Sequence, residues 1–278
     1  MTTILFPTDF STNANHALEY AVNIANATGA SIHLLHVYTP LVSPANSIHE
    51  FITDETDDIK KTATEKLAVL CKAIQEEYPG IVCQPHVAIG ETVETILDTA
   101  LEYKSDMIIM GTRGASNLTK ILFGSNTSSV IEGSKSPVLC VPSNSVCNNP
   151  KKMLFATNFS PHDMHEIQKL VPIAKAFNSE IIVGHVDVSL DEDSEESNEM
   201  KNFTEEAIRA TGYLKISFRL VNDHNVSMGL DKIIEESGID LFALSTHKRS
   251  WFEKFTNPSL TKKISHYATI PMLAFHNP

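Results

Sequence analysis

Long apolar runs are missing from this 278-residue chain. A membrane-spanning helix needs roughly 20 consecutive apolar residues, and no stretch approaches that. The opening Met1-Thr2-Thr3-Ile4-Leu5 lacks the basic region and apolar core of a secretion signal, so a cytoplasmic location is expected. Cysteine is scarce. Cys71, Cys83, Cys140 and Cys147 form no CxxC spacing, which argues against a thiolate metal site and suits reduced thiols in the cytosol. Positive charge is also in deficit, with 22 Lys and Arg against 34 Asp and Glu, for a net charge of −12. Nonspecific nucleic-acid binding needs a basic surface to displace counterions, so neither nucleic acid nor an anionic membrane surface is an expected partner. A polyanion has to be held at a local site built for it. The twelve histidines include no HExxH or Cys/His spacing. His162, His165, His247 and His266 read as surface or capping residues, and no metal site is expected.

What is present is an internal repeat. Ile4-Leu5-Phe6-Pro7-Thr8-Asp9-Phe10-Ser11 returns as Met153-Leu154-Phe155-Ala156-Thr157-Asn158-Phe159-Ser160. Leu34-Leu35-His36-Val37 returns as Val183-Gly184-His185-Val186, and Ser136-Pro137-Val138-Leu139 has a counterpart in Thr269-Ile270-Pro271-Met272-Leu273. The matches keep their order, so two copies of one domain are expected, over residues 1–143 and 150–278. The polar Ser143–Pro150 stretch reads as the linker between them.

Each copy alternates short apolar strands with helices of 3.6-residue period. Thr3–Thr8, Ser31–Tyr38, Ile81–Ile89, Asp106–Met110 and Pro137–Val141 read as strands. Ser11 can cap a helix with Ala14, Ala17, Leu18 and Ala21 on one face. Leu67, Leu70, Cys71 and Ile74 mark a second helix, and Val93, Ile96, Leu97, Ala100 and Leu101 a third. In the second copy Ser160-Pro161 predicts a cap followed by a first-turn proline. Ile167, Leu170, Val171 and Ala174 then share a face. Leu230, Ile233 and Ile234 mark a helix that Gly238 stops. The alternation predicts an α/β fold, a mostly parallel sheet with helices on both faces. The acidic run Asp191–Glu196 reads as a solvated loop.

One segment carries chemistry. The strand ending at Met110 runs into Gly111-Thr112-Arg113-Gly114, and nine residues later comes Gly124-Ser125-Asn126-Thr127 at a helix start. Glycines let backbone approach an anion closely or adopt positive φ. Free N–H groups and the dipole of a helix N-terminus favour phosphate. Ser125 and Thr127 offer hydroxyls, and Arg113 offers local positive charge. The pattern is neither a Walker A loop nor a Rossmann fingerprint. Taken singly, such glycines mark only a turn and a cap.

As a whole, Gly111-x-x-Gly114, nine residues, then Gly124-Ser125 resembles the nucleotide signature of the universal stress proteins that bind ATP. Ile4–Ser11, His36-Val37 and Ser136–Pro142 resemble the same family, and the likeness extends over both copies. It implies two Rossmann-like domains of the adenine nucleotide alpha hydrolase-like type, each a five-stranded parallel sheet in the order 3-2-1-4-5. Open sheets of that kind bind ligands where strand order reverses. It implies Mg-ATP as ligand, with the Val37 backbone against adenine and Pro7, Thr8 and Asp9 lining the crevice. Asp9 would lie near ribose or Mg²⁺. Met110, Gly111, Arg113 and Gly114 would wrap ribose and phosphates, and Gly124, Ser125, Asn126 and Thr127 would hold the phosphates. The family also dimerises through last strands, so Val138–Val141 and Met272–Phe275 imply an internal pseudo-dimer, and a homodimer of whole chains is a further option.

The second copy departs from this pattern. Leu244-Ser245-Thr246-His247-Lys248 replaces the first glycine segment, Pro258-Ser259 replaces Gly124-Ser125, and Asn158 stands in for Asp9. Trp251 and Phe252 add bulk, and Pro258 has no N–H to donate. This copy is not expected to bind ATP. The expected function is that of an ATP-binding regulatory protein of the stress-response type, with at most slow hydrolysis, because no catalytic base is evident. A nucleotide-independent interaction scaffold and an adenylate-forming enzyme are the alternatives.

Overall fold

A computed structural model describes residues 1–39, 49–112, 124–189, 196–246 and 269–276. The first half runs β1 (Thr3–Pro7), α1 (Thr12–Thr28), β2 (Ser31–Tyr38), α2 (His49–Glu77), β3 (Cys83–Ile89), α3 (Thr92–Glu102), β4 (Met107–Gly111), α4 (Ser125–Gly133) and β5 (Val138–Val141). The second runs β6 (Lys152–Ala156), α5 (Asp163–Phe177), β7 (Glu180–Asp187), α6 (Glu196–Thr211), β8 (Ile216–Asn222), α7 (Val226–Ser237), β9 (Leu241–Ser245) and β10 (Met272–Phe275). Of the expected acidic loop Asp191–Glu196, residues 191–195 lie outside the described residues, as does the segment 247–268, while Glu196 departs from the expectation and begins α6.

All ten strands form one sheet, in the order β3-β2-β1-β4-β5-β10-β9-β6-β7-β8. Pairing within each half is parallel. The seam between halves is the antiparallel pair β5–β10, where Leu139 faces Leu273 in register. Both residues are fully buried. The pleat sends alternate side chains to opposite faces. Ile4 and Phe6 thus join one apolar layer with α1, α2, α5 and α6, while Leu5 joins the other with α3, α4 and α7. Each layer continues across the seam, so the two halves share their core.

Local signals account for most element ends. Ser11 accepts the Ala14 amide at 3.2 Å and caps α1. Gly238 closes α7 at φ 63°, a value that costs glycine little. The start of α5 differs from the sequence expectation. Ser160 and Pro161 precede the helix, which begins at Asp163. The Asp163 carboxylate accepts the Thr157 hydroxyl at 2.5 Å and the Ser160 amide at 3.2 Å. Asp163 therefore anchors the turn to β6 from within the first helical turn, in place of a Ser160 cap.

A repeated carboxylate fastens the strand starts. Asp106 Oδ2, just before β4, accepts the Thr2 amide at 2.6 Å, the Thr3 amide at 3.0 Å and the Thr2 hydroxyl at 2.9 Å. Asp240, just before β9, accepts the Lys151 and Lys152 amides at 2.7 and 2.9 Å. Desolvation pushes the Asp106 carboxyl up, but the hydrogen bonds from Thr2 and Thr3 and the N-terminal ammonium outweigh it and hold the pKa below the usual range. A depressed carboxylate contributes stability above its unfolded value of about 3.9, and that contribution is lost as pH falls through the folded value. Asp106→Asn is expected to cost about 1 kcal/mol at neutral pH, the carboxylate being exposed to solvent. In urea titrations the gap from wild type should close as pH drops below about 4.

Candidate functional site

Strand order reverses between β1 and β4, and a cavity of about 280 Å³ opens there beyond the strand ends. Its lining brings together Pro7, Thr8 and Asp9 from the β1 turn, Val37 from β2, Met110 and Gly111 from β4, and Gly124, Ser125, Asn126 and Thr127 from the start of α4. Ten of the twelve residues singled out from sequence thus surround one space. The other two, Arg113 and Gly114, lie outside the described residues. Sequence reading missed Ala14, Leu35, His36, Thr92 and Ile96, which also line it. Thr92 and Ile96 sit on α3, whose glycine-free start gives no ligand signal. Only the packing of α3 over the sheet brings them in.

The turn after β1 is locked by its own side chains. Thr8 Oγ1 accepts the Phe10 amide at 3.0 Å, and Asp9 Oδ1 accepts the Ser11 amide at 3.0 Å. These bonds hold Phe10 at φ 60°, a left-handed conformation unusual for a bulky residue. The Phe10 ring rests on His36 with centroids 4.6 Å apart, and Lys66 of α2 lies 5.3 Å from its centre. His36 Nδ1 donates to the Thr8 carbonyl at 2.8 Å, and the Thr8 amide donates to the Leu35 carbonyl at 2.8 Å. A carbonyl only accepts, so Nδ1 carries the proton. This linkage fixes the spacing of the β1 and β2 ends that floor the cavity.

The far wall is the N-terminus of α4. Gly124 occupies the cap position at φ −65° and no side chain caps the helix. An uncapped N-terminus presents amide donors and the positive end of the dipole. Thr127 is buried, and its hydroxyl donates to the Gly111 carbonyl at 3.0 Å. That hydroxyl therefore joins α4 to β4 before it can serve a ligand. The Gly124 φ needs no glycine, and among the described residues an added Cβ would meet only the Thr112 carbonyl at 3.6 Å, an ordinary contact. Among the described residues, neither backbone strain nor packing demands glycine at 124. The position lines the cavity, where a missing side chain leaves room for a close-approaching group. Asp9 is the sole acid among the described lining residues, unusual in a chain of net charge −12.

The second half keeps the turn and changes the crevice. Phe159 again has positive φ, at 59°, and its ring rests at a tilt on His185 with centroids 4.6 Å apart. His185 Nδ1 again donates to the Thr157 carbonyl at 2.8 Å. Asp163, however, stands at the repeat position of Ala14, and Glu166 at that of Ala17. Both carboxylic residues are fully buried. Val186, the counterpart of Val37, is also buried, because α7 approaches it closely at Gly229. A Cβ there would lie 2.5 and 2.7 Å from the two Val186 methyls. Leu244, Ser245 and Thr246 end β9 and its exit where the first half has Met110, Gly111 and Thr112. His247, Lys248, Trp251, Phe252, Pro258, Ser259 and His266 lie outside the described residues.

Known proteins share both the repeat and the fold. The universal stress protein family model matches residues 1–142 and again residues 149–276. Universal stress protein MJ0577 of Methanocaldococcus jannaschii is 31% identical over 152 residues, covering 50% of this chain and 93% of its own. Universal stress protein G of Escherichia coli O157:H7 is 33% identical over 144 residues, covering 50% and 97%. A universal stress protein structure from Archaeoglobus fulgidus DSM 4304 matches 99% of this chain and 98% of its own, with a TM-score of 0.77 at 21% identity. That likeness shows the same fold over both halves.

The Gly229–Val186 contact has a measurable consequence. Alanine is the better helix former by about 1 kcal/mol, so helix propensity alone favours Gly229→Ala. The β-branched Val186 cannot swing clear, and overpacking costs about 1–3 kcal/mol. The variant should be less stable than wild type in urea denaturation, opposite to the sign that propensity gives.

Proposed function

Because this chain belongs to the universal stress protein family, as two family domains in tandem, we propose that residues 1–143 bind an adenine nucleotide and that residues 150–278 do not. The observation that carries this reading is Gly124. Neither its φ nor any described neighbour requires glycine there, yet the residue stands at a helix N-terminus facing the cavity, with no cap among the described side chains. A phosphate resting on the amides of Ser125, Asn126 and Thr127 requires that open approach.

The remaining lining suits the rest of the ligand. Leu35, Val37 and Ile96 provide an apolar slot for a flat base, and the Val37 backbone can read its edge. Asp9 is placed for ribose or for the Mg²⁺ of Mg-ATP, and Arg113 and Gly114 continue the phosphate loop in sequence. Bound Mg²⁺ would neutralise phosphate charge; Asp9, with Oδ1 held by Ser11, is the carboxylate that would meet it. The described lining holds no second carboxylate for proton transfer, so the role is regulatory, with nucleotide as signal and hydrolysis at most slow. In the second half, buried Asp163 stands where Ala14 lines the first crevice, and its larger side chain takes up space that a ligand would need. That half serves as a packing partner across the β5–β10 seam.

Calorimetric titration of nucleotide-stripped protein with Mg-ATP tests this directly. One site per chain is expected. Gly124→Val should melt like wild type and lose at least tenfold in affinity, about 1.4 kcal/mol. Two sites, or undiminished binding by the variant, would contradict the proposal.

A further inference from the structure

Cys71 and Cys83 are twelve positions apart in sequence, and their sulfurs lie 2.7 Å apart. Cys71 sits on the inward face of α2 between Leu67 and Ile74, and Cys83 is the first residue of β3. Both are buried, at 4% and 7% exposure, within the apolar layer on that side of the sheet. A formed disulfide has sulfurs about 2.05 Å apart, so a small closing movement would join them. The other two cysteines offer no such partner. Cys140 is fully buried in the opposite layer, and Cys147 is half-buried near the linker. The nucleotide crevice uses neither Cys71 nor Cys83. Cys83 pairs with Ile32 at the start of β2, the end of the sheet remote from the cavity.

We propose that Cys71 and Cys83 form an oxidisable dithiol, a site of reversible disulfide formation driven by peroxide-class oxidants. The two thiols have distinct roles. The contact between the two sulfurs lowers the Cys71 pKa against the opposing effect of burial. The same contact, and then burial, push Cys83 up. Cys71, carried on α2, whose local opening exposes it, is the attacking thiolate, and Cys83, held in the sheet, resolves it. It takes one oxygen from the peroxide, the O–O bond breaks, and the first water leaves with Cys71 as a sulfenic acid. The Cys83 sulfur then attacks the Cys71 sulfur, the S–O bond breaks, and a second water leaves as the disulfide forms. Two electrons from the two thiols reduce one peroxide to two waters. A dithiol reductant reverses the change by exchange. Burial slows the first step, which requires local opening of the α2 end. The disulfide then fastens α2 to β3 across a short loop and restricts the unfolded chain.

Peptide mapping of the full-length protein after hydrogen peroxide treatment tests this. Reduced protein is exposed, alkylated under denaturing conditions and cut with trypsin, which cleaves after Lys72 and so separates the two cysteines. The expected product is one disulfide-linked pair of peptides carrying Cys71 and Cys83, with Cys140 and Cys147 alkylated. Dithiothreitol should restore alkylation of all four cysteines, and the oxidised form should melt at a higher temperature than the reduced form. Cys83→Ser should instead leave a Cys71 sulfenic acid that dimedone traps. Four alkylated cysteines after peroxide treatment, a link to Cys147, or irreversible over-oxidation of Cys71 in the wild type would each overturn the proposal. The wild-type map decides the matter even if the variant fails to fold.

Discussion

β1 and β4 lie side by side, yet the chain leaves them toward opposite edges of the sheet. After β1 it crosses through α1 to β2, and after β4 it crosses through α4 to β5. Two parallel strands with diverging exits must leave a gap beyond their C-terminal ends. The candidate nucleotide site depends on that gap. The His36–Thr8 bond sets its floor, the uncapped α4 N-terminus forms one wall, and α3 covers it through Thr92 and Ile96. No single residue makes the site. Topology does, and the residues decide what the gap admits.

The second half fills the same frame differently. Its strand order, its His–Phe turn and its carboxylate staple repeat those of the first half. A carboxylate takes the place of Ala14, and a glycine on α7 lets the helix close on Val186. Both changes consume space where the first half keeps a small lining. The antiparallel seam then joins the halves through fully buried Leu139 and Leu273. The second half thereby contributes strands and core to the first.

Much of this was legible in the sequence. The repeat, the strand ends and the glycine spacing are local signals, since turn chemistry and hydrophobic period act over a few residues. Together with the family resemblance that these motifs carry, they named ten residues that converge on one cavity. What escaped depends on contacts between distant segments. Ile96 reads as an ordinary buried helix residue until α3 is laid over the crevice. The 12-residue separation of Cys71 and Cys83 resembles no redox motif, and only the docking of α2 on β3 brings the sulfurs together. Asp163 is masked in sequence because Ser160-Pro161 supplies a conventional helix start. Its substitution for Ala14 is visible in the repeat alignment, and its burial is not. The Asp106 and Asp240 staples were within reach, since they occupy equivalent positions before β4 and β9.

The central claim is that one of two equivalent crevices is open to nucleotide. The most direct measurement is a crystal structure of the protein grown with Mg-ATP or a non-hydrolysable analogue. The account predicts one nucleotide per chain, its base against Val37 and its phosphates on the Gly124–Thr127 amides, with Val186 still packed against Gly229. A nucleotide seated between Val186 and Asp163, or an empty N-terminal crevice at saturating ligand, would contradict it.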